Sequence, residues 1–251
     1  MRLTTANRKG GTGKTSTAGN LAFEFSHTHK TILLDCDSQG SLTSWLINDH
    51  SLSRELADVL YERCHISDAI VDLYPGLALI PTFSDGDLRE YVERRAPSEP
   101  LAMDGLCADL EEAGYVFIVV DLPPGLGAFE QSVIAAMDRA LLVLEPEFLA
   151  VDGLSALLDD FETILKKRRS TVRFDWLIAN GVNASYRRHG AYLDALEDSL
   201  NNCSIFHVPQ SAKVPESQSY HEPLALHAPN ETRALPAYRT IAKAIKEERI
   251  G

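Results

Sequence analysis

Seven short runs of consecutive apolar residues punctuate the chain, at 3–6, 31–35, 77–81, 116–121, 140–144, 176–180 and 205–208. Most are continuously apolar rather than alternating, the pattern of strands buried on both faces of a parallel sheet. Helical spacing recurs between them. Ala18, Leu21, Ala22 and Phe25 share one face, Leu154, Leu157, Leu158, Phe161 and Leu165 a second, Leu193, Leu196 and Leu200 a third, and Ile241, Ala244 and Ile245 a fourth. This alternation predicts an α/β fold, a mainly parallel twisted sheet flanked by helices on both faces. No repeat, low-complexity tract or Pro/Ser-rich linker divides the chain, so residues 1–251 are read as a single domain. Residues 91–100, with Pro97 and Pro100, form the loosest stretch and are expected to be a loop between elements.

Composition narrows the class. At 251 residues, 45% hydrophobic and 24% charged, the chain can bury a core without staples and is not broadly disordered. No apolar run reaches the roughly 18 residues of a membrane span, and the N-terminus has no signal-peptide core, so a cytoplasmic location is expected. Cys36, Cys64, Cys107 and Cys203 lie far apart without a CxxC pair, which argues against a disulfide framework, a zinc ribbon or an iron–sulfur cluster. The net charge of −12 argues against a simple nucleic-acid binder. The acid is unevenly placed, however: residues 43–164 hold 24 acidic and six basic side chains, whereas residues 165–251 hold 13 basic and nine acidic.

The strongest chemical signal is Arg8-Lys9-Gly10-Gly11-Thr12-Gly13-Lys14-Thr15-Ser16, between the first strand and the first helical stripe. Glycines let successive backbone N–H groups curl around phosphate oxygens, and the following helix adds its positive end. Lys14 would then lie against β- and γ-phosphates, and the Thr15 hydroxyl would be a Mg2+ ligand. Arg8 occupies the position where the strict GxxxxGK[ST] pattern has its first glycine. Lys9 precedes the glycines, so its side chain is expected to point away from its own phosphates and to suit a nucleotide on a facing subunit. This arrangement resembles the deviant Walker A motif of the ParA/MinD ATPases.

Three further segments extend the resemblance. Asp35-Cys36-Asp37-Ser38-Gln39-Gly40 ends an apolar strand at the sheet edge that faces ligand, and is similar to the family's Asp-x-Asp-Pro-Gln-Gly switch, with Ser38 in place of proline. By resemblance Asp37 orients the attacking water and is a further candidate for Mg2+ through water. Asp121-Leu122-Pro123-Pro124-Gly125 looks like the Walker B aspartate, a water-mediated Mg2+ ligand, followed by a second switch. Asn180, at the end of a later strand, corresponds to an amide that reads the adenine edge, and Pro209 to a backbone wall of the base. The resemblance spans the whole chain and implies a P-loop NTPase domain.

Within the family the chain resembles the small ParA/Soj-type partition ATPases. The mixed-sign end around Lys243, Lys246 and Glu248 is not expected to anchor a membrane. Cysteines of cluster-carrying relatives are missing after Asp121, and the start at the first strand leaves no N-terminal operator-binding domain expected. The resemblance implies an ATP-dependent homodimer on the nucleoid that binds double-stranded DNA without sequence preference. Hydrolysis would be stimulated by a ParB-like adaptor, and the cargo would be a plasmid, a chromosome or another body. Arg187, Arg188 and Lys213 are the candidate DNA contacts, with Arg233 and Arg239 behind them, while the run at Lys166 is read as a solvated helix end. The alternatives are a MinD- or flagellar-number-type switch serving a membrane or protein-complex cargo, and a metabolic P-loop ligase or kinase.

Overall fold

The computed structural model describes residues 1–48, 51–146, 151–183, 185–186, 189–190, 192–194 and 203–250, without the side chains of 151–157 and 250. All seven expected strands form: β1 (Arg2–Ala6), β2 (Thr31–Asp35), β4 (Leu77–Ile80), β5 (Phe117–Asp121), β6 (Arg139–Leu144), β7 (Arg173–Val182) and β8 (Ser204–Pro209). An eighth, β3 (Val71–Tyr74), pairs antiparallel with β4 at the sheet edge. The order is β3-β4-β2-β5-β1-β6-β7-β8, and every other neighbouring pair is parallel. β3 escapes the apolar-run criterion because its residues are only partly buried, as an edge strand allows.

Strand pleating divides the core into two layers. Ile32, Leu34, Ile118, Val120, Ala140 and Leu142 face one side. They meet Met103, Leu106, Cys107 and Leu110 of α5 (Ala102–Glu112), Phe129 and Val133 of α6 (Ala128–Ala135), and Phe161 of α7 (Val151–Arg168). Leu33, Phe117, Val119, Leu141 and Ile178 face the other. There they pack on Ala18, Leu21 and Phe25 of α1 (Lys14–Ser26), and on Tyr238, Ile241 and Ile245 of α10 (Ala234–Ile250). Both faces are thus covered, as the sequence pattern requires.

Further short helices among the described residues are α2 (Ser41–Leu46), α3 (Leu56–Leu60), α4 (Leu88–Arg94), α8 (Lys213–Ser219) and α9 (Leu224–His227). The expected loop at 91–100 is a correction, since α4 runs through Arg94 and a 3-10 turn follows at Ala96–Ser98. Leu88 and Tyr91 sit one helical turn apart and are both buried, with the Tyr91 hydroxyl donating to Glu99 at 3.0 Å. The prolines end the helix there without abolishing it. Of the helical stripes, the first and fourth pack as expected, apart from a half-buried Ala244. Phe161 and Leu193 are buried, whereas the Leu154 and Leu157 side chains, Leu196 and Leu200 lie outside the described residues.

Candidate functional site

β1 delivers the chain to a loop that the following helix leaves open. α1 starts at Lys14 with Gly13 as its cap, and no side chain caps its first N–H groups, so they remain available to an anion. Gly11 and Gly13 have φ of +77° and +90°, a region glycine enters without strain. Asn7 sets the loop's entry: its amide donates to the Val143 carbonyl at 2.7 Å and its Oδ1 accepts the Lys9 N–H at 3.1 Å. A cavity of about 710 Å³ opens over the loop, lined by residues 10–16, Asp37, Ser41, Ser44, Trp45, Leu122, Pro124, Pro215, Gln218 and Ser219.

Lys14 is buried, and its Nζ donates to the Lys9 carbonyl at 3.3 Å. Burial lowers its pKa, opposed by the carboxylates of Asp121 and Asp37. Asp121, at the end of β5, is fully buried. Burial pushes its carboxyl up to about 7, against the downward pull of the Thr15 hydroxyl and Lys14. Its Oδ2 has no hydrogen-bond partner among the described residues. An orphaned carboxylate oxygen beside a hydroxyl, at the mouth of a phosphate loop, is the donor set a hydrated Mg2+ takes, so Thr15 and Asp121 fit that cation. No group of three or more His, Cys, Asp or Glu side chains that could hold a metal by itself occurs among the described residues.

Asp37 lines the cavity and closes its own turn: Oδ1 accepts the Gln39 N–H at 2.9 Å, and its carbonyl accepts the Gly40 N–H at 2.8 Å. The turn therefore forms with Ser38 at its second position. Gly40 has φ of +62°, and a Cβ there would meet the Thr82 carbonyl at 2.5 Å. Asp35 is a brace rather than a cavity residue. Its carboxylate accepts the Thr43 N–H and hydroxyl, each at 2.8 Å, and its carbonyl accepts the Thr82 hydroxyl at 2.6 Å. Burial, then the charge of Asp121, pushes the Asp35 carboxyl up to about 8. In the second switch, Pro124 packs over Gly10, within 3.8 Å of the position a Cβ would take. Pro123 precedes it, and Gly125 adopts φ of +119°.

Other expected positions fall elsewhere. Lys9 is half exposed, is not among the residues lining the phosphate cavity, and lies 3.9 Å from Glu145. The Asn180 amide donates to the Thr12 carbonyl at 2.9 Å, gripping the loop from the end of β7, two strands from β1, and Asn180 also lines a separate cavity of about 340 Å³. Pro209 lines a third cavity with Val182, Asn183 and Arg233. Arg187 and Arg188 lie outside the described residues. Lys213 is engaged by Glu216, at 2.8 Å from both carboxylate oxygens. Arg233 donates to the Gln210 carbonyl and Arg239 sits by Glu24. Lys166, Lys167 and Arg168 do end a helix, in the last turn of α7. The apolar side of α10 is consumed by the core, and no helix of the described residues is long and apolar enough to cross a membrane.

Sequence reasoning missed the far wall. Gln218 donates to the Ser16 hydroxyl at 2.8 Å, Trp45 donates to the Glu222 carbonyl at 3.0 Å, and His221 lies 3.0 Å from the Ser44 carbonyl. These contacts join α8 and its following turn to α1 and α2. Thr43 was legible in principle, eight residues beyond Asp35 on a helix opened by Gly40, whereas nothing local marks Gln218.

A glycine-rich loop opening α1, with the buried Asp121 carboxyl near its lysine, defines the fold as that of a P-loop NTPase domain. A family model described as an AAA domain matches residues 2–174. An uncharacterised protein of Borreliella burgdorferi is 31% identical over 92% of this chain and 94% of its own. The chromosome partitioning protein ParA of Caulobacter vibrioides is 26% identical over 90% and 86%. The ATP complex of Cyanothece McdA superposes with a TM-score of 0.84 at 21% identity, over 97% of this chain and 95% of that one, a likeness of fold. The chain belongs to this AAA-domain family and, within it, to the ParA/Soj-type partition ATPases of the deviant Walker A class.

Proposed function

We propose that the chain is a Mg2+-dependent ATP hydrolase that dimerises on ATP, binds DNA without sequence preference as that dimer, and positions a plasmid, a chromosome or another cargo. A ParB-like adaptor stimulates its slow basal hydrolysis, and it works in the cytoplasm on the nucleoid. The observation that carries this reading is the separation of the two loop lysines. Lys14 lies inside the phosphate cavity, whereas Lys9 stands half exposed outside its lining. A cation so placed can reach a triphosphate held by a second subunit without competing for its own.

Within one subunit the roles divide by position. The backbone N–H groups of residues 10–16 cradle the phosphates, and Lys14 neutralises the β/γ bridge. Thr15, and Asp121 through water, would hold Mg2+, which would supply charge neutralisation of the phosphate oxygens. Asp37 orients a water for in-line attack, and its carboxylate needs only to sit within one hydrogen bond of that water. The Asn180 amide, with one donor on the loop, keeps its remaining donor and its acceptor for the base. DNA contact is assigned to Arg187, Arg188 and Lys213, and backbone-phosphate binding makes it salt-sensitive.

The test is light scattering with and without ATP, together with DNA retention at low salt. Dimerisation that requires ATP and is lost in Lys9→Ala and Lys14→Ala is the expected outcome, with DNA retained only in ATP. A dimer indifferent to both nucleotide and Lys9 overturns it. Flotation with liposomes in ATP would instead assign the chain to a membrane cargo.

A further inference from the structure

Two acidic side chains hold the head of the phosphate loop against its own subunit. Arg8 Nη1 lies 3.1 Å from Asp160 Oδ2, and Lys9 Nζ lies 3.9 Å from Glu145 Oε2. Neither acid lines the phosphate cavity: Glu145 follows β6 and Asp160 belongs to α7. The register between Lys9 and Glu145 is fixed by backbone anchors. Asn7 donates to Val143 near the end of β6 and accepts from the Lys9 N–H, so the lysine starts from a set position over the residue that follows β6. The Lys9 carbonyl accepts the Lys14 ammonium. Lys9 is thereby engaged at both ends, its peptide by the phosphate-binding lysine and its ammonium by Glu145.

We propose that Glu145 is a positioning residue that competes with a partner subunit's triphosphate for Lys9, and so sets the ATP concentration at which the chain dimerises. The inference rests on the reading of Lys9 as a donor to the facing subunit. Side-chain exposures of 47% for Lys9 and 39% for Glu145 put the pair in the weak, screened class. A triphosphate carries more charge than one carboxylate and wins the lysine, so the pair acts as a threshold rather than a lock. Phosphate entering the loop also draws Lys14 from the Lys9 carbonyl, which removes one restraint on Lys9 at the moment its partner is needed.

The experiment is an ATP titration of dimerisation by light scattering on the full chain, at low and high salt, with ATP affinity measured alongside, for wild type, Glu145→Gln, Lys9→Ala and the double variant. Glu145→Gln should lower the ATP concentration at half-dimerisation by about two- to fivefold at low salt, the reach of an exposed ion pair. High salt should erase the difference. In the Lys9→Ala background Glu145→Gln should leave ATP binding to the monomer unchanged. A fall in that affinity would assign Glu145 to the nucleotide itself and overturn the proposal, as would an unchanged or raised midpoint in the single variant. ATP-driven dimerisation of Lys9→Ala at the wild-type level would remove the reading beneath it, whereas Lys9-dependent dimerisation indifferent to Glu145 would sink this inference alone.

Discussion

Asn180 and Gly13 occupy the same space by halves: a Cβ on Gly13 would lie 2.1 Å from the Asn180 Nδ2, the atom that donates to the Thr12 carbonyl. The glycine's φ of +90° adds a second reason why no other residue fits. Gly13→Ala should therefore expel the Asn180 amide and strain the cap of α1 together, weakening ATP binding by about five- to 150-fold, the 1–3 kcal/mol of a strained backbone site. Asn180→Ala relieves the clash and loses the loop's side anchor. Equilibrium binding of a fluorescent ATP analogue to Asn180→Ala and to the double variant checks this. If Gly13→Ala binds as wild type, the close approach carries no functional weight.

Asp35 and Asp121 end adjacent strands as register partners, and both are buried. Burial lifts their carboxyls to about 8 and about 7 respectively, with the neighbouring charge adding to Asp35. Each folded pKa stands above its unfolded value, so their contribution to stability is fully present below the ordinary aspartate range. It is lost progressively as pH rises from that range to about 7 for Asp121 and about 8 for Asp35. The protein alone should lose Tm across that window. Mg2+ favours the ionised form of Asp121, so the gain in Tm from Mg2+–ATP should grow with pH over the same range. Thermal scans of wild type and Asp121→Asn test this. A Mg2+–ATP gain with identical pH dependence in both would remove Asp121 from the metal site.

What the sequence made legible follows from what is local. The strand runs at 31–35 and 116–121 are buried on both faces, so their apolarity is continuous, and their terminal Asp35 and Asp121 lie side by side because parallel strands end together, Asp121 near Lys14 and Asp35 turned onto Thr43. The loop from Lys9 to Thr15 was readable because its glycines answer to backbone geometry alone. β3 was not, because a partly buried edge strand of four residues carries no period. Gln218 on Ser16 joins positions 202 residues apart, and only tertiary packing brings them together. Asn180 is legible as a polar strand end, yet its grip on Thr12 depends on where β7 ends near the loop, which no spacing states.

Gly19 sits in the middle of α1, where alanine would ordinarily stabilise a helix by about 1 kcal/mol. Here a Cβ would lie 2.3 Å from the ring of Trp45, which is itself buried and tied to the Glu222 carbonyl. Overpacking of this kind costs about 1–3 kcal/mol, so the clash outweighs the propensity. Gly19→Ala should lower stability to urea and shift Trp45 emission, read most cleanly with Trp176 replaced by Phe. A stabilised Gly19→Ala would show that Trp45 is free to move aside, and that α2 is held less firmly over the cavity than its contacts imply.

Asp37 performs two tasks that one substitution can separate. Its Oδ1 accepts the Gln39 N–H and shapes the switch turn, while its charge faces the cavity. Asparagine keeps an acceptor for that N–H but presents no negative charge to a water. Asp37→Asn should hold ATP affinity within about threefold and lower turnover by about 100-fold or more, the usual scale for losing a group that positions a reacting water. Asp37→Ala loses the turn as well, so it should weaken binding further without slowing chemistry more. Single-turnover hydrolysis beside equilibrium ATP binding distinguishes the cases. Equal turnover in Asp37→Asn and wild type would move the water-positioning role to another group at the cavity. Retained ATP with arrested hydrolysis would leave the dimer trapped, and light scattering on the same samples should show that accumulation directly.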